Sequence, residues 1–468
     1  MKKLTALLVM LFLVKAVMTQ SLPGDSSKTL QEIKVTGRKA PMQMSPGKIT
    51  IKVGSTITNA GTTILEMLER LPGVTVDKSG MISLKGKPEV LVMIDDKLTY
   101  LGAAELSNLL ASMNSQQVEQ IELMPNPPAK FDASGNAGII NIKTIRSREE
   151  GLNGTILLSS GIGRYLKNNY SLSLNYKSKR IYTFMNYSLT ANKGFTDIYA
   201  LRNYYKSGML SSVLDQPTCL TEKNFGNSIR TGIDYNITDK TIAGISFTGL
   251  TNRRDGESEA RATWLSGTGT FDSAIGTSSS SLFKFRTGGI NLNLRHTFSK
   301  NQQLAIDVDG LKYKIGNEQS FTSQVLAAGG TIDSSRGHLP STINIVTGKA
   351  DYTMRFGENK LESGFKISNI QTDNVAAYEL MEGMQWKEDL DKSNHFYYKE
   401  NIYAAYSNLE YKYKSIYLSA GLRYEQTRYQ AIQTSNLQNK DSSFSRNYYS
   451  LFPSASLTWQ TDSSSSFT

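Results

Sequence analysis

Residues 416–424 read IYLSAGLRY, and the parity of this stretch decides the architecture. Ile416, Leu418, Ala420, Leu422 and Tyr424 fall on one side of an extended chain, and Tyr417, Ser419, Gly421 and Arg423 on the other. Alternation at period two marks a strand whose two faces meet unlike surroundings. The same pattern recurs downstream, where Tyr449, Leu451, Ala455, Leu457 and Trp459 alternate with Ser450, Ser454, Ser456 and Thr458. Upstream, Ile290, Leu292 and Leu294 alternate with Asn291, Asn293 and Arg295. Between Leu304-Ile306-Val308 and Leu311-Tyr313 the phase slips by one, which reads as a β-bulge.

The connections between these strands form two classes in strict alternation. Short turns are expected at 177–179, 238–240, 299–301, 357–359 and 413–415. Long polar loops are expected near 193–224, 253–283, 317–340, 372–398 and 429–446. A soluble sandwich gives no reason for this asymmetry. A membrane barrel does, with short periplasmic turns at one end and long extracellular loops at the other. The expectation is an antiparallel transmembrane β-barrel wall of about twelve strands over residues 150–468. A mean hydropathy of −0.34 does not oppose it, because lipid-facing and lumen-facing residues average each other away.

Upstream of residues 146–151 the grammar changes. Thr63-Ile64-Leu65-Glu66 is a capping box opening a short helix that Pro72-Gly73 stops. Val74–Val76 and Met81–Leu84 read as strands around a turn at 77–80. Glu89–Ile94 turns back through Asp95-Asp96-Lys97, a second helix covers 103–113, and strands follow at Val118–Leu123 and Gly138–Thr144. This is a small α+β unit. In front of it, Lys2, Lys3 and the apolar run LLVMLFLV (Leu7–Val14) read as a secretory signal over residues 1–20. The expected organisation is a signal peptide (1–20), a flexible leader with a strand-like segment (21–37), the α+β domain (38–146) and a partial barrel (150–468). A twelve-strand ring would be roughly 24 Å across between backbones. An α+β unit of this size spans above roughly 30 Å and cannot sit inside it. The expectation is therefore a wall truncated at its C-terminal side, about twelve strands of the ~22 found in barrels with plugged lumens.

Three phrases carry a family likeness: ILEMLERLPGVTVD (Ile64–Asp77), ISLKGKPEVLVMIDDK (Ile82–Lys97) and NPPAKFDASGNAGIINIKT (Asn126–Thr144). Through them residues 30–145 resemble the plug of TonB-dependent receptors, and residues 150–468 look like the first half of their barrel. The resemblance implies an outer-membrane transporter that imports a scarce nutrient of the siderophore, cobalamin, glycan or peptide class. The alternative is a non-transporting outer-membrane binding or assembly protein. The partners it implies are outer-membrane lipid, an unknown extracellular ligand and the periplasmic protein TonB. Leu30, Gln31, Glu32, Ile33, Lys34, Val35, Thr36 and Gly37 form an extended segment suited to pairing with a partner's strand. By resemblance they are the TonB-coupling element; equally, they read as the first strand of the plug. The expected plug-anchoring residues are Asn126, Pro127, Pro128, Gly135, Asn136, Gly138, Ile140 and Asn141. The prolines stiffen the link and deny it helix. Gly135 and Gly138 allow positive φ or close approach of the backbone to the wall.

Chemistry is sparse elsewhere. Cys219 is the only cysteine, so an internal disulfide is excluded. His296 takes the lipid-facing phase, while His338 and His395 are expected in loops without a spaced partner, which supports neither a metal site nor a triad. Asp95-Asp96 reads as a hairpin turn rather than an acid/base pair. No cofactor and no enzymatic activity is expected. The net charge of +11 is spread along the chain without a basic helix, and nucleic acid is not an expected partner.

Overall fold

The computed structural model describes residues 42–45, 47–53, 62–77, 80–88, 90–99, 101, 103–131, 138–145, 150–327, 329–435, 441–460 and 466–467. The expected signal and the segment Leu30–Gly37 lie outside the described residues, as do Gly135 and Asn136.

Residues 42–144 build a mixed sheet with two helices. Its elements are β1 (Met42–Ser45), β2 (Lys48–Lys52), α1 (Ile64–Leu68), β3 (Val74–Val76), β4 (Ile82–Leu84), β5 (Leu91–Ile94), β6 (Lys97–Leu98), α2 (Ala103–Ser112), β7 (Val118–Met124) and β8 (Ile139–Thr144). Six strands pair in the order β1-β2-β7-β8-β5-β6, with β5 parallel to β8, and β3 pairs with β4 separately. The capping box is formed: Glu66 N donates to Thr63 Oγ1 at 3.2 Å, and Thr63 N donates to the Glu66 carboxylate at 2.9 Å. Asp95 and Asp96 take φ of 51° and 67° and turn β5 into β6, the left-handed pair that a two-residue hairpin demands.

The second region is one antiparallel sheet. It runs β9 (Gly151–Ile162), β10 (Leu166–Lys177), β11 (Ile181–Lys206), β12 (Met209–Thr238), β13 (Thr241–Ser266), β14 (Phe271–Ser299), β15 (Gln302–Val325), β16 (Ile332–Phe356) and β17 (Asn359–Glu382). It continues through β19 (Asn394–Tyr413), β20 (Ile416–Ser435), β21 (Ser442–Gln460) and β22 (Ser466–Phe467), with the short β18 (Gln385–Glu388) folded back on β17. Each strand pairs with its chain neighbour, and β9 and β22 are the two edges of the described sheet. Among the described residues no helix is long and apolar enough to cross a membrane. The wall would cross with strands.

Two expectations fail here. The long polar segments are mostly strand, not loop. β11 and β12 pair up to a two-residue turn at Ser207-Gly208, whose φ values are 51° and 80°. His338 and His395 accordingly lie in β16 and β19. The physical reason is that period two is visible only where the faces differ. Above an apolar band about 25 Å tall both faces are wet. There the alternation fades while backbone pairing continues. β12, at 30 residues, rises far beyond that band.

The bulge proposed between Val308 and Leu311 is also absent. Leu304 through Ile315 pair with both neighbouring strands in unbroken register. The face that is apolar changes instead. Val308 is outward and exposed, whereas Tyr313 and Ile315 point inward and are buried. They belong to an inward apolar patch with Leu250, Phe283, Phe285, Ile345 and Ile370, which is continuous with the α+β core of Ile64, Met67, Leu68, Leu106, Leu109 and Leu110. At ~1.5–3 kcal/mol per fully buried large side chain, these seven wall residues hold the unit to the wall by on the order of 10 kcal/mol.

Candidate functional site at the seam between the α+β unit and the wall

Away from the apolar patch the seam is polar. The turn after β5 reaches the wall at Asp95. Its carboxylate accepts from Arg230 of β12 at 2.6 Å, from Thr144 N at 2.9 Å and from Thr144 Oγ1 at 2.8 Å. Arg230 also lies over the Phe184 ring, 5.1 Å from its centroid. Both charged side chains are nearly buried, 15% and 13% exposed. A second contact is made by Tyr313 of β15, whose hydroxyl donates to the Thr99 carbonyl at 2.9 Å. A third joins Lys130 to Glu362 of β17 at 3.6 Å, and Glu362 is shared with Lys360 at 3.0 Å.

Asp96 turns inward to its own unit. It accepts from Lys143 and from Asn141 Nδ2 at 2.8 Å, and Asn141 also donates to Glu122 at 3.0 Å. Burial pushes the Asp96 carboxyl up. The Lys143 ammonium and its hydrogen bond, then Lys130 and the Asn141 amide, outweigh burial and hold it below the usual carboxylate value. For Lys130, burial works against the charged form, but Glu362, Asp96 and Asp351 outweigh it and raise the ammonium above its ordinary value.

Two recesses flank Lys130. One, of about 490 Å³, lies between Asp95, Asp96 and Lys143 and the wall residues Asp234, Arg295, Asp307, Lys349, Asp351 and Lys366. The other, about 460 Å³, is bounded by Asn126, Pro127 and Pro128 and by Glu358, Lys360, Glu410 and Lys412. Asp96, Lys130 and Phe131 line both. The seam is thus an apolar contact continued by a wet, charged crevice with Lys130 across it.

Residues 295–468 match the family model described as the outer membrane protein beta-barrel family. That stretch, the C-terminal part of the wall, is an outer-membrane β-barrel segment. The α+β unit packs on the inner face of the wall, where a plug would sit. No match is found among curated proteins. Solved structures align loosely. A mutant of the ferric enterobactin receptor PfeA from Pseudomonas aeruginosa, in complex with enterobactin, is 9% identical. The alignment covers 88% of this chain and 100% of that one, at a TM-score of 0.36. The ferric yersiniabactin uptake receptor FyuA from Yersinia pestis is 11% identical over 90% of this chain and 84% of its own, at 0.36. The outer membrane protease OmpT from Escherichia coli is 13% identical over 60% and 96%, at 0.23. At these scores the likenesses leave the ligand and the activity open.

The expected anchoring residues are distributed differently from one another. Asn126, Pro127 and Pro128 border the second recess. Ile140 and Asn141 are buried inside the plug sheet, not at the wall. Gly138 has φ +108°, and a Cβ there would stand 2.7 Å from Met124 O. The close approach it permits is to the plug's own backbone rather than to the wall. The same phrase does reach the wall through the residues between: a Cβ on Gly421 of β20 would stand 2.7 Å from Ala129 Cβ, and Lys130 pairs with Glu362. Arg230, Glu362 and Tyr313 were not singled out from sequence. Their signal is parity: Arg230 lies out of phase with the exposed Ile229 and Ile233, which puts its charge on the lumen face. His395, expected to lack a partner, meets Asp373 at 2.6 Å. Among the described residues no group of three or more His, Cys, Asp or Glu could hold a metal ion.

Proposed function

We propose that the protein is an energy-coupled importer rather than an enzyme or a passive binder. A ligand entering from the tall-hairpin side reaches the plug, and TonB pairs with Leu30–Gly37 and pulls from the periplasm. The single observation that carries this reading is the uneven seam. Detaching the whole plug would expose the shared apolar patch, at a cost on the order of 10 kcal/mol. That rivals the stability of an entire domain. Parting the crevice breaks polar contacts, among them the Lys130–Glu362 and Asp95–Arg230 pairs and the Arg230–Thr144 hydrogen bond, beside a recess that admits water. A pull on the N-terminal segment would therefore widen the polar side first and leave the plug docked on β13–β17. The outer membrane holds no nucleotide pool, so work must arrive mechanically, and strand pairing transmits force with little demand on side chains.

The test deletes residues 30–37 from the intact protein and measures ligand binding and accumulation separately, across a panel of labelled siderophores, corrinoids, oligosaccharides and peptides. Binding retained with uptake abolished is the expected result. Uptake that continues in the deletion strain, or after collapse of the proton gradient, refutes coupling and leaves a non-transporting receptor.

A further inference from the structure

The outward face of β13, β14 and β15 carries a charge cluster that import does not use. In cross-strand register Arg286 of β14 stands opposite Lys314 of β15, and Arg253 of β13 stands opposite Lys284 of β14. Lys312 lies two residues from Lys314 on the same face. All five share the parity of Ile290, Leu292 and Val308, the exposed apolar residues of the lipid-facing side. Arg253 and Lys284 have carboxylates, Asp255 and Glu318, each at 2.9 Å. On their other sides Arg286 and Lys314 face the neutral Thr251 and Thr342, and Lys312 stands between Gly288 and Asn344. Farther along that row, Asp373 of β17 is two strands from Lys314 and holds His395. Like charges directly opposed destabilise a sheet. Arg286 and Lys314 in register therefore call for an anion between them.

Height says which anion. On β14 the exposed apolar residues begin at Phe298, beside the short turn, and run up through Leu294 and Leu292 to Ile290. From Phe298 to Arg286 is twelve residues of strand, which at ~3.4 Å each and a tilt of ~40° is a rise of about 30 Å. The lipid-facing apolar band of such barrels is about 25 Å tall. The cations thus stand at headgroup level on the tall-hairpin side. The flanking strands are neutral in this row, with Asn227 on β12 and Thr342 on β16; Asp373, one strand farther on, is engaged by His395. This is a patch three strands wide, roughly 10 Å across at ~4.8 Å per strand, rather than a girdle.

We propose that Arg286, Lys312 and Lys314, flanked by Arg253 and Lys284, bind the phosphate-bearing headgroup of an outer-leaflet lipid whose acyl chains lie against Ile290, Leu292 and Val308. Guanidinium and ammonium groups give charge-assisted bonds to phosphate oxygens, and the apolar strip below supplies the contact that a soluble anion lacks.

The protein is placed in nanodiscs of zwitterionic phospholipid doped with phosphatidic acid, and retained lipid is counted by native mass spectrometry. The wild type is expected to enrich phosphatidic acid over the zwitterionic lipid, and R286Q/K312Q/K314Q to lose that preference. A cation near an anionic surface is worth roughly fivefold, so three remove a factor on the order of a hundred. A charge-matched control at the hairpin tips, R202Q/K206Q/K387Q, keeps wild-type enrichment. Inorganic phosphate alone distinguishes a lipid site from an ion site and is expected not to displace the lipid. Enrichment unchanged in the triple variant, or displacement by inorganic phosphate mole for mole, overturns the proposal. Should the triple variant fail to insert, a salt series on the wild type decides: enrichment must fall steeply with ionic strength, and enrichment indifferent to salt refutes an electrostatic site.

Discussion

Replacing Asp95 by Asn isolates the charge that ties the plug to β12. Asn tolerates the left-handed backbone that Asp95 adopts at φ 51°, so the turn survives; the ion pair is lost, and one of the two oxygens that accept from Thr144 becomes an amide NH2. Arg230 is then left 15% exposed without its carboxylate, with the Phe184 face and the Thr144 hydroxyl among its remaining partners. Removing one partner of a buried pair costs about 3–5 kcal/mol. Because the first recess brings water to the edge of this pair, the lower figure applies, about 3 kcal/mol, or roughly a hundredfold in an opening equilibrium. The assay is amide hydrogen exchange on the intact protein in detergent. Amides of β5 and β8 beside the turn are expected to exchange on the order of a hundred times faster, while β12 and β13 amides keep their protection. Adding Arg230→Met, which removes the stranded charge, should recover part of the loss, with a coupling of about 1–3 kcal/mol between the two positions. If exchange in β5 and β8 is unchanged by D95N, or rises equally in the wall strands, the pair is not what closes this side of the seam.

Two further outcomes follow from the plug itself. Gly138→Ala places a Cβ against Met124 O in a backbone conformation with φ +108°, a strain of about 1–3 kcal/mol; limited proteolysis of the folded protein should cleave the plug faster while the wall stays intact. Asp96 is held below its unfolded value, so its contribution is complete above the unfolded pKa near 3.9 and is lost as pH falls from there through the folded value. Plug protection followed by exchange should therefore drop below about pH 4, and D96N, which has no such proton to take up, should flatten that limb.

Much of this was readable from residues alone. The capping box at Thr63–Glu66, the Asp95-Asp96 turn and the strands on either side of it are local matters, set by which backbone groups a short segment leaves unpaired and which φ values its residues accept. The membrane-height portions of the wall were readable for a related reason, since lipid outside and polar surroundings inside imprint alternation on every strand. The tall hairpins were not legible. Once both faces are wet, Ser, Thr, Asn and Tyr serve either way, and strand and loop carry the same composition. Nor was the reversal at Leu311–Tyr313, which alternation alone assigned to a bulge, because the apolar neighbour it answers to is Leu109 and its companions some two hundred positions earlier in the chain.

The sequence by itself determined that this is a strand-built wall preceded by a small α+β unit, because parity, capping and turn chemistry act over a few residues. Only the tertiary structure decided where the two meet. The pairings of Asp95 with Arg230, of Lys130 with Glu362 and of Thr99 with Tyr313 join positions far apart in the chain, and no local preference encodes a partner that proximity supplies only after the wall has curved around the plug.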